Sequence, residues 1–416
     1  AAMDVGEDFE RYWSSEASYP VGDLIPPGTA RLEKRRADLE KGKWKRISAF
    51  VLAPIHVQDV LEALPEAERG SCPAQYSFGT GFADHMFTQI YDQGQGWHDA
   101  VIKPFGDLSL HPAAAVLHYS QEIFEGLKAY RTAGGNIQLF RPQENLKRLN
   151  NSCRLLCIPE FDESFLLQAL KKLLQLEKEW VPNAPETSLY IRPTIVAMDP
   201  YLGVRASHTY RFFIILSPVG AYYPEGFNPV KIQVTREHVR AVRGGVGEAK
   251  TLGNYAASLL AGDKAHQAGY TQVLWLDGVE LKYVEEVGSM NIFFMIDDEL
   301  ITPALNGSIL PGITRDSVLA LGKSWGLRVS ERKISIDEVI EAHSAGHLKE
   351  IFGSGTAAVI SPVGELKYED TVITVGEDLT DAKKNIALAR KYPILKTAAG
   401  LYPTHLDRTA AESLRT

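Results

Sequence analysis

Apolar positions along the chain change their spacing several times. From Asp162 to Trp180, leucine recurs at 166, 167, 170, 173, 174 and 176, a spacing that stripes one face of a helix before Pro182 stops it. Runs of β-branched and aromatic residues with the length of strands follow at Leu189 to Met198 and Tyr210 to Leu216. Further strand patterns fall at Val230 to Thr235, Gln272 to Leu276 and Asn291 to Ile296. Helical patterns at Asn254 to Gln267, Thr314 to Trp325 and Asp337 to His343 are interspersed with them. No internal repeat is visible. This order predicts an α/β fold, and periodicity alone leaves open whether it is the mixed α+β kind.

Punctuation divides the pattern. Between Ser217 and Pro229, five Pro and Gly residues interrupt the aromatics Tyr222, Tyr223 and Phe227, which reads as a linker. The expected organisation is an N-terminal extension over 1–70, a small α/β domain over 71–217, an interdomain loop over 218–229 and a larger, cofactor-binding domain over 230–416. The extension carries a basic-acidic stretch from Arg31 to Lys45, and its role is unread.

Composition narrows the function classes. With 416 residues, the chain is long enough for two or three domains at roughly 100–200 residues each. Its net charge of −8 disfavours nonspecific binding to a phosphate backbone, so no nucleic-acid partner is expected. No run approaches the ~18 consecutive apolar residues of a membrane helix, so no membrane partner is expected either. The first ten residues carry Asp4, Glu7 and Asp8 with no basic cluster ahead of an apolar run, unlike a secretory signal. Cys72, Cys153 and Cys157 show no paired metal-ligand spacing, so no metal site is expected. They read as small buried hydrophobes in a reducing, cytoplasmic protein.

Five segments could carry chemistry. Arg243 to Thr251 packs three glycines just ahead of Lys250, and glycine lets backbone approach a ligand closely. A lysine held there can be desolvated so that its free amine attacks a carbonyl and forms a Schiff base. A nucleotide phosphate loop is the competing local reading, with Ala249 where that pattern needs glycine and a polar lead-in where it needs an apolar strand; a solvated loop lysine is the third. Leu310 to Asp316 places Pro and Gly at the opening of a helix, whose free amides suit an anion, or is simply an ordinary loop-to-helix junction. Gly353 to Ala358 is a small-residue loop that offers amides and hydroxyls, or simply a tight turn. Glu285 and Glu286 precede an apolar strand; either both are solvated, or one points inward and needs a cationic partner. Tyr190 and Arg192 share one face of a strand, a place for a carboxylate ligand or an internal salt bridge.

Taken together, FGTGFADHM (78–86), HYSQEIFEGLKAYR (118–131), LYIRP (189–193), GGVGEAKTLGNYAASL (244–259), EVGSMNIFF (286–294), LPGITRDS (310–317) and FGSGTAAVISPV (352–363) resemble the branched-chain amino acid aminotransferases. These are fold type IV pyridoxal-phosphate enzymes of the class IV aminotransferase family, and the likeness spans about residues 76 to 365. The resemblance implies two α/β domains with pyridoxal 5'-phosphate between them, and a homodimer whose partner chain contributes to the pocket. It implies that Lys250 carries the cofactor and moves the proton, that Glu286 faces the pyridine nitrogen and that Tyr255 bonds the ring hydroxyl. Arg148, Ser289, the amides of Ile313 and Thr314, and Thr356 would hold the phosphate. Phe82, Tyr119, Phe124, Tyr190 and Tyr222 would line an apolar substrate pocket, with Arg192 at its mouth and Ala357 offering an amide to the α-carboxylate.

The sequence departs from the family pattern in three places. Ala358-Val359-Ile360-Ser361 stands where mammalian members have a thiol pair, so no redox switch is expected there. Thr251-Leu252 replaces a glycine-containing stretch, and the N-terminal extension has no counterpart in the pattern. The expected activity is ping-pong amino transfer between leucine, isoleucine or valine and 2-oxoglutarate, with small-molecule amino and 2-oxo acids as partners. The alternative is a relative acting on another hydrophobic or unusual amino acid.

Overall fold

Tyr190 to Ala197 and Tyr210 to Leu216 alternate so densely in apolar residues that they pair as the central strands of one sheet. The computed structural model describes residues 18–20, 62–73, 78–132, 135–184, 187–220, 229–357 and 359–375. Along the chain the first sheet is built from β1 (Ser18–Pro20), β2 (His85–Asp92), β3 (Gly96–Pro104), β4 (Glu122–Phe124), β5 (Leu127–Arg131), β6 (Ile137–Phe140), β7 (Ser188–Ala197) and β8 (Thr209–Val219). Its order is β1-β6-β5-β7-β8-β2-β3, with β4 also on β7. Every pairing in it is antiparallel.

Against it lie α1 (Ala115–Tyr119), α2 (Pro142–Leu155) and α3 (Glu163–Leu176). The leucine stripe expected from Asp162 onward is this third helix, which ends at Leu176 and passes through a short 3-10 turn, Lys178–Trp180. Asp162 caps it by accepting from the amides of Ser164 and Phe165 at 2.8 and 3.0 Å, a device worth about 1 kcal/mol. Leu166, Leu170, Leu173 and Leu174 are buried with Ile191, Ile195 and Phe212 of the sheet in one core.

The second sheet follows a change of partner between Val219 and Val230. It holds β9 (Val230–Val234), β10 (Gln272–Leu276), β11 (Val284–Val287), β12 (Met290–Ile296), β13 (Glu299–Thr302), β14 (Arg328–Glu331), β15 (Leu348–Gly355), β16 (Val359–Tyr368) and β17 (Thr371–Thr374). The order β11-β10-β9-β16-β15-β12 returns on itself because β11 also pairs with β12. Six strands therefore close into a ring, which removes two edges, and Ile232, Leu274, Ile292, Phe294 and Ile351 are packed in the core beside it. Helices α4 (Leu252–Ala256), α5 (Leu259–Gln267), α6 (Ile313–Ser324) and α7 (Ile336–Ser344) complete this half.

Four expectations change. The helix expected over Asn254 to Gln267 is two helices, broken at Ala257-Ser258, where the Ser258 amide turns back to the Tyr255 carbonyl. Gly353 to Gly355 is not loop but the end of β15, paired with β16 through Gly355↔Val359, so the turn begins at Thr356. Glu285 and Glu286 are not solvated: the ring leaves them only 4% and 3% exposed. Of the three cysteines, all unpaired, only Cys153 is buried; Cys72 is half-buried and Cys157, at the end of α2, is exposed. No helix among the described residues is long and apolar enough to cross a membrane.

Candidate active site

Lys250 stands where the two sheets meet. Its carbonyl accepts from the Phe124 amide at 3.0 Å, its own amide donates to Ser152 Oγ at 3.0 Å, and Thr251 Oγ1 donates to the Glu122 carbonyl at 2.7 Å. β4 and α2 of the first half thus hold the lysine's backbone. From its other side Asn254 Nδ2 donates to the carbonyls of Val246 and Ala249 at 2.8 and 2.9 Å, fastening the glycine-rich loop. Gly247 has to be glycine there, since a Cβ would lie 2.4 Å from the Ser308 carbonyl oxygen.

The lysine side chain runs into an aromatic corner. Nζ donates to Tyr255 Oη at 2.7 Å and sits 5.1 Å from the centre of the Phe124 ring, which itself packs 4.9 Å from Tyr255. Arg192 lies over the same Phe124 ring at 4.6 Å and donates to Tyr190 Oη at 3.0 Å. Its Nε is buried with no partner among the described residues. Sequence alternation along β7 is what brings Tyr190 and Arg192 to one face, as expected.

Beside this corner a small cleft open to solvent is walled by Arg240, Tyr255, Glu286, Ser289 and Leu310, among others. Glu286 lies on β11, where its Oε2 meets Arg240 Nη2 at 2.5 Å and its Oε1 accepts from Asn291 Nδ2 at 3.1 Å. Burial pushes its carboxyl up to about 7; the charges of Arg240 and Lys250 and a backbone bond at Leu310 pull the other way, while neighbouring Glu285 adds to the rise. Ser289 is on the two-residue turn between β11 and β12, reached through Gly288 at φ +55°.

The anion-binding expectations gather at the opening of α6. Gly312 is its N-cap in extended conformation, so Ile313 and Thr314 are the first two helical residues and their amides have no partner within the helix. Arg148, on α2, donates Nη1 to the Pro311 carbonyl at 3.1 Å, directly before this helix. Its Nε and Nη2 grip the carboxylate of Glu125 at 2.7 and 2.9 Å. Thr356 and Ala357 form the turn from β15 to β16, and the Ala357 carbonyl accepts from Lys128 Nζ at 2.7 Å.

Two pocket expectations stand apart. Phe82, 36% exposed, stacks on Phe105 at 5.0 Å, and Tyr119, 42% exposed, donates its hydroxyl to the Leu202 carbonyl. Neither shares a hydrogen bond or ring contact with the Lys250 group. Tyr222 lies outside the described residues. Conversely, Glu125, Lys128, Arg240, Asn254 and Asn291 belong to the site's surroundings and carry no role in the sequence reading. Their signal was a polar or charged residue inside an otherwise apolar strand or beside a glycine-rich loop.

A chain with one accessible amine in an aromatic corner, a buried acid across a cleft and a helix opening beside an arginine has the equipment of a carbonyl-cofactor enzyme. The family described as "Amino-transferase class IV" matches residues 122–366. Branched-chain-amino-acid aminotransferase 2 of Bacillus subtilis (strain 168) is 60% identical over 314 residues, 75% of this chain and 86% of that protein. The branched-chain amino acid aminotransferase of Escherichia coli superposes with a TM-score of 0.59 at 29% identity, covering 74% of this chain and 93% of that one. The branched-chain amino acid aminotransferase from Thermobaculum terrenum, in its PLP-form, superposes with a TM-score of 0.56 at 26% identity, covering 67% of this chain and 85% of that one. The chain belongs to the class IV aminotransferases, and within them to the branched-chain amino acid aminotransferases. It is therefore a transaminase of fold type IV, and the phosphate-loop reading of Lys250 falls away.

Proposed function

We infer that this chain binds pyridoxal 5'-phosphate at Lys250 and transfers the amino group between L-leucine, L-isoleucine or L-valine and 2-oxoglutarate by a ping-pong route. The observation that carries this is the Lys250 amine, held 2.7 Å from the Tyr255 hydroxyl at the edge of a cleft whose wall includes the buried Glu286. The residues present fit the cofactor end to end. Arg148, the amides of Ile313 and Thr314, Ser289 and Thr356 would take the phosphate, and a helix opening beside a guanidinium suits a dianion. Glu286 would face the ring nitrogen, where the buried carboxylate already paired with Arg240 gains a second cation. The cofactor, when bound, supplies an electron sink for the substrate's α-carbon.

The chain's own groups do the rest. Lys250 Nζ, once released by the incoming amine, takes and returns the proton at the α-carbon, with Tyr255 Oη receiving its N–H and fixing its position. Phe124 and Tyr190 present apolar surface to a branched side chain, while Arg192 offers a guanidinium to the distal carboxylate of glutamate at the same place. Thr356 and Ala357 are suited to the α-carboxylate.

A homodimer in the cytoplasm completes the reading. Leu117, Leu202, Leu259 and Leu260 are 55%, 61%, 71% and 58% exposed in the single chain, surface that a second copy would cover. The three unpaired cysteines fit a reducing compartment. Sedimentation of the purified protein at twice the chain mass would support the dimer, and sedimentation as a monomer would remove it.

The test of activity is the visible spectrum of the purified protein with pyridoxal phosphate, before and after L-leucine and then 2-oxoglutarate, with Lys250→Ala alongside. A yellow band in the wild type, lost on leucine, restored by 2-oxoglutarate and missing from the variant, is the expected result. A band that ignores all three branched-chain amino acids would reassign the substrate, and no band at all would sink the cofactor assignment.

A further inference from the structure

Arg141, in the first half of the fold, grips the first turn of α6 in the second. It is the N-cap of α2 and holds φ +47°, a left-handed conformation that residues with a side chain seldom adopt. The side chain, 18% exposed, crosses to α6 with three hydrogen bonds. Nη1 donates to the Ile313 carbonyl at 3.3 Å and to Ser317 Oγ at 2.8 Å, and Nη2 donates to Asp316 Oδ2 at 2.6 Å. Ser317 Oγ in turn donates to the same Ile313 carbonyl at 2.9 Å.

What these acceptors share is their place behind the helix opening. A trans peptide is planar, so the Thr314 N–H points away from the Ile313 carbonyl that belongs to the same peptide unit. Donors that hold that carbonyl from behind therefore fix the direction of the Thr314 amide, and by polarising the peptide they make it a stronger donor. The preceding peptide needs no such help: the Asp316 amide donates to the Gly312 carbonyl at 3.0 Å, which sets the Ile313 amide from within the helix. Gly312 itself is wedged against Asn291, whose Oδ1 lies 2.0 Å from where a Cβ would be. Asp316 is the second target. A carboxylate in the first turn suits an empty helix opening but repels an anion that arrives there, and the Arg141 guanidinium offsets it. A link made only to join the two halves could fall anywhere along α6; this one falls on the carbonyl and the acid that bear on its amides.

We propose that Arg141 is a positioning residue for the phosphate end of the cofactor: from behind the peptide it aims and polarises the Thr314 amide, and it offsets the charge of Asp316. This rests on the pyridoxal phosphate reading above, which assigns the Ile313 and Thr314 amides to the phosphate, and it gives a role to an arginine that the reading leaves idle.

The test compares pyridoxal 5'-phosphate with pyridoxal, the same ring without the phosphate, by absorbance titration of the full-length, cofactor-free protein. Arg141→Gln removes the charge and the fork, and Ser317→Ala removes only the bridging hydroxyl. The Kd of pyridoxal phosphate is expected to rise about tenfold in Arg141→Gln and about threefold in Ser317→Ala, with the Kd of pyridoxal unchanged in both. The phosphorus resonance of the bound cofactor should move from its wild-type position in each variant. Equal losses for the two ligands would make Arg141 a staple between the halves and overturn the proposal. So would wild-type affinity for pyridoxal phosphate in Arg141→Gln. Thermal unfolding shows whether Arg141→Gln is folded, and if it is not, Ser317→Ala carries the same comparison. A wild type that takes up no pyridoxal phosphate is a different result: it sinks the cofactor reading itself, and this inference with it.

Discussion

Arg148 Nε and Nη2 hold both oxygens of the Glu125 carboxylate, at 2.7 and 2.9 Å, with Glu125 wholly buried and Arg148 8% exposed. Asn145 Nδ2 adds a third bond to Glu125 at 2.8 Å. The pair orients the guanidinium toward the opening of α6 before any ligand arrives, which is what preorganisation at an anion site requires. Burial works to raise the Glu125 carboxyl, but Arg148, then Lys250 and Asn145, outweigh it and hold it below the usual carboxylate range.

Removing the acid alone strands a buried cation. Glu125→Ala is expected to lower unfolding free energy by about 3–5 kcal/mol, measured by urea denaturation, and Glu125→Gln by less because one hydrogen bond to Arg148 survives. The sign with pH follows from the lowered carboxyl: the contribution is complete above the unfolded value of about 4.3 and fades as pH falls toward the folded one. Wild type should therefore lose stability more steeply than Glu125→Gln below about pH 4. Parallel curves would remove the pair from the account.

Glu286 works in the opposite direction. Its carboxyl is raised to about 7 by burial, so the cofactor-free fold binds a proton there that the unfolded chain has released. Stability from this group is complete below about pH 4.3 and is lost as pH rises to about 7, by roughly 4 kcal/mol in all. Glu286→Gln carries no proton to lose. Cofactor-free Glu286→Gln should show a flatter thermal midpoint than wild type between pH 5 and 8, and a slope equal to that of wild type would contradict the assignment.

Much of this was legible in the chain. The leucine stripe of α3 and the dense apolar runs of β7 and β8 declared their periods, because each lies against a single core that one face must fill. Lys250 and Arg192 could be picked out because glycines and strand alternation leave local marks, whereas Tyr255 stands out only through the family resemblance. What was hidden depends on distant pairing. Whether Glu285 and Glu286 are solvated or one of them points inward stays open in the sequence, because only the closure of β11 onto both β10 and β12 buries them. Gly353 to Gly355 reads as loop because its small residues make room for Met290, whose Cε lies 2.7 Å from where a Gly353 Cβ would be. Glu125 and Lys128 gave no local sign of their partners, which are 23 and 229 residues away.

Gly126 shows how tightly the aromatic corner is fitted. A Cβ at this position would lie 2.1 Å from Tyr190 Oη and 2.9 Å from Tyr190 Cζ. Gly126→Ala must push the Tyr190 ring aside and break its bond from Arg192. We expect a loss of about 1–3 kcal/mol in stability, the usual cost of overpacking, with a fall in kcat/KM for leucine. Tyr190→Phe removes the oxygen that clashes most, so the double variant Gly126→Ala/Tyr190→Phe should be more stable than Gly126→Ala alone. If the second substitution instead adds a further loss, the tyrosine hydroxyl is not what the glycine accommodates.

His85 and Glu177 form a second buried pair, far from the lysine in sequence, and it anchors the segment that precedes β2. His85 is fully buried and Glu177 1% exposed; the Nδ1 side of the ring meets Glu177 Oε1, and Nε2 accepts the Leu64 amide at 2.8 Å. An Nε2 that accepts carries no proton, so the ring is neutral and its proton lies on Nδ1, toward the carboxylate. Glu177 Oε2 accepts from the Asp84 amide at 3.1 Å, and the Asp84 carboxylate in turn takes the Gly70 amide at 2.7 Å and the Trp180 indole at 3.0 Å. His85→Phe preserves ring volume but leaves the Glu177 carboxyl unpaired and the Leu64 amide without its acceptor. Loss of about 3–5 kcal/mol is expected, with faster limited proteolysis around residues 62–70. Adding Glu177→Gln removes the stranded charge and should recover part of the stability, though not the protection of 62–70, because the Leu64 acceptor is still missing. Recovery of both would mean that the segment is held through the Glu177 carboxylate and not by the imidazole Nε2.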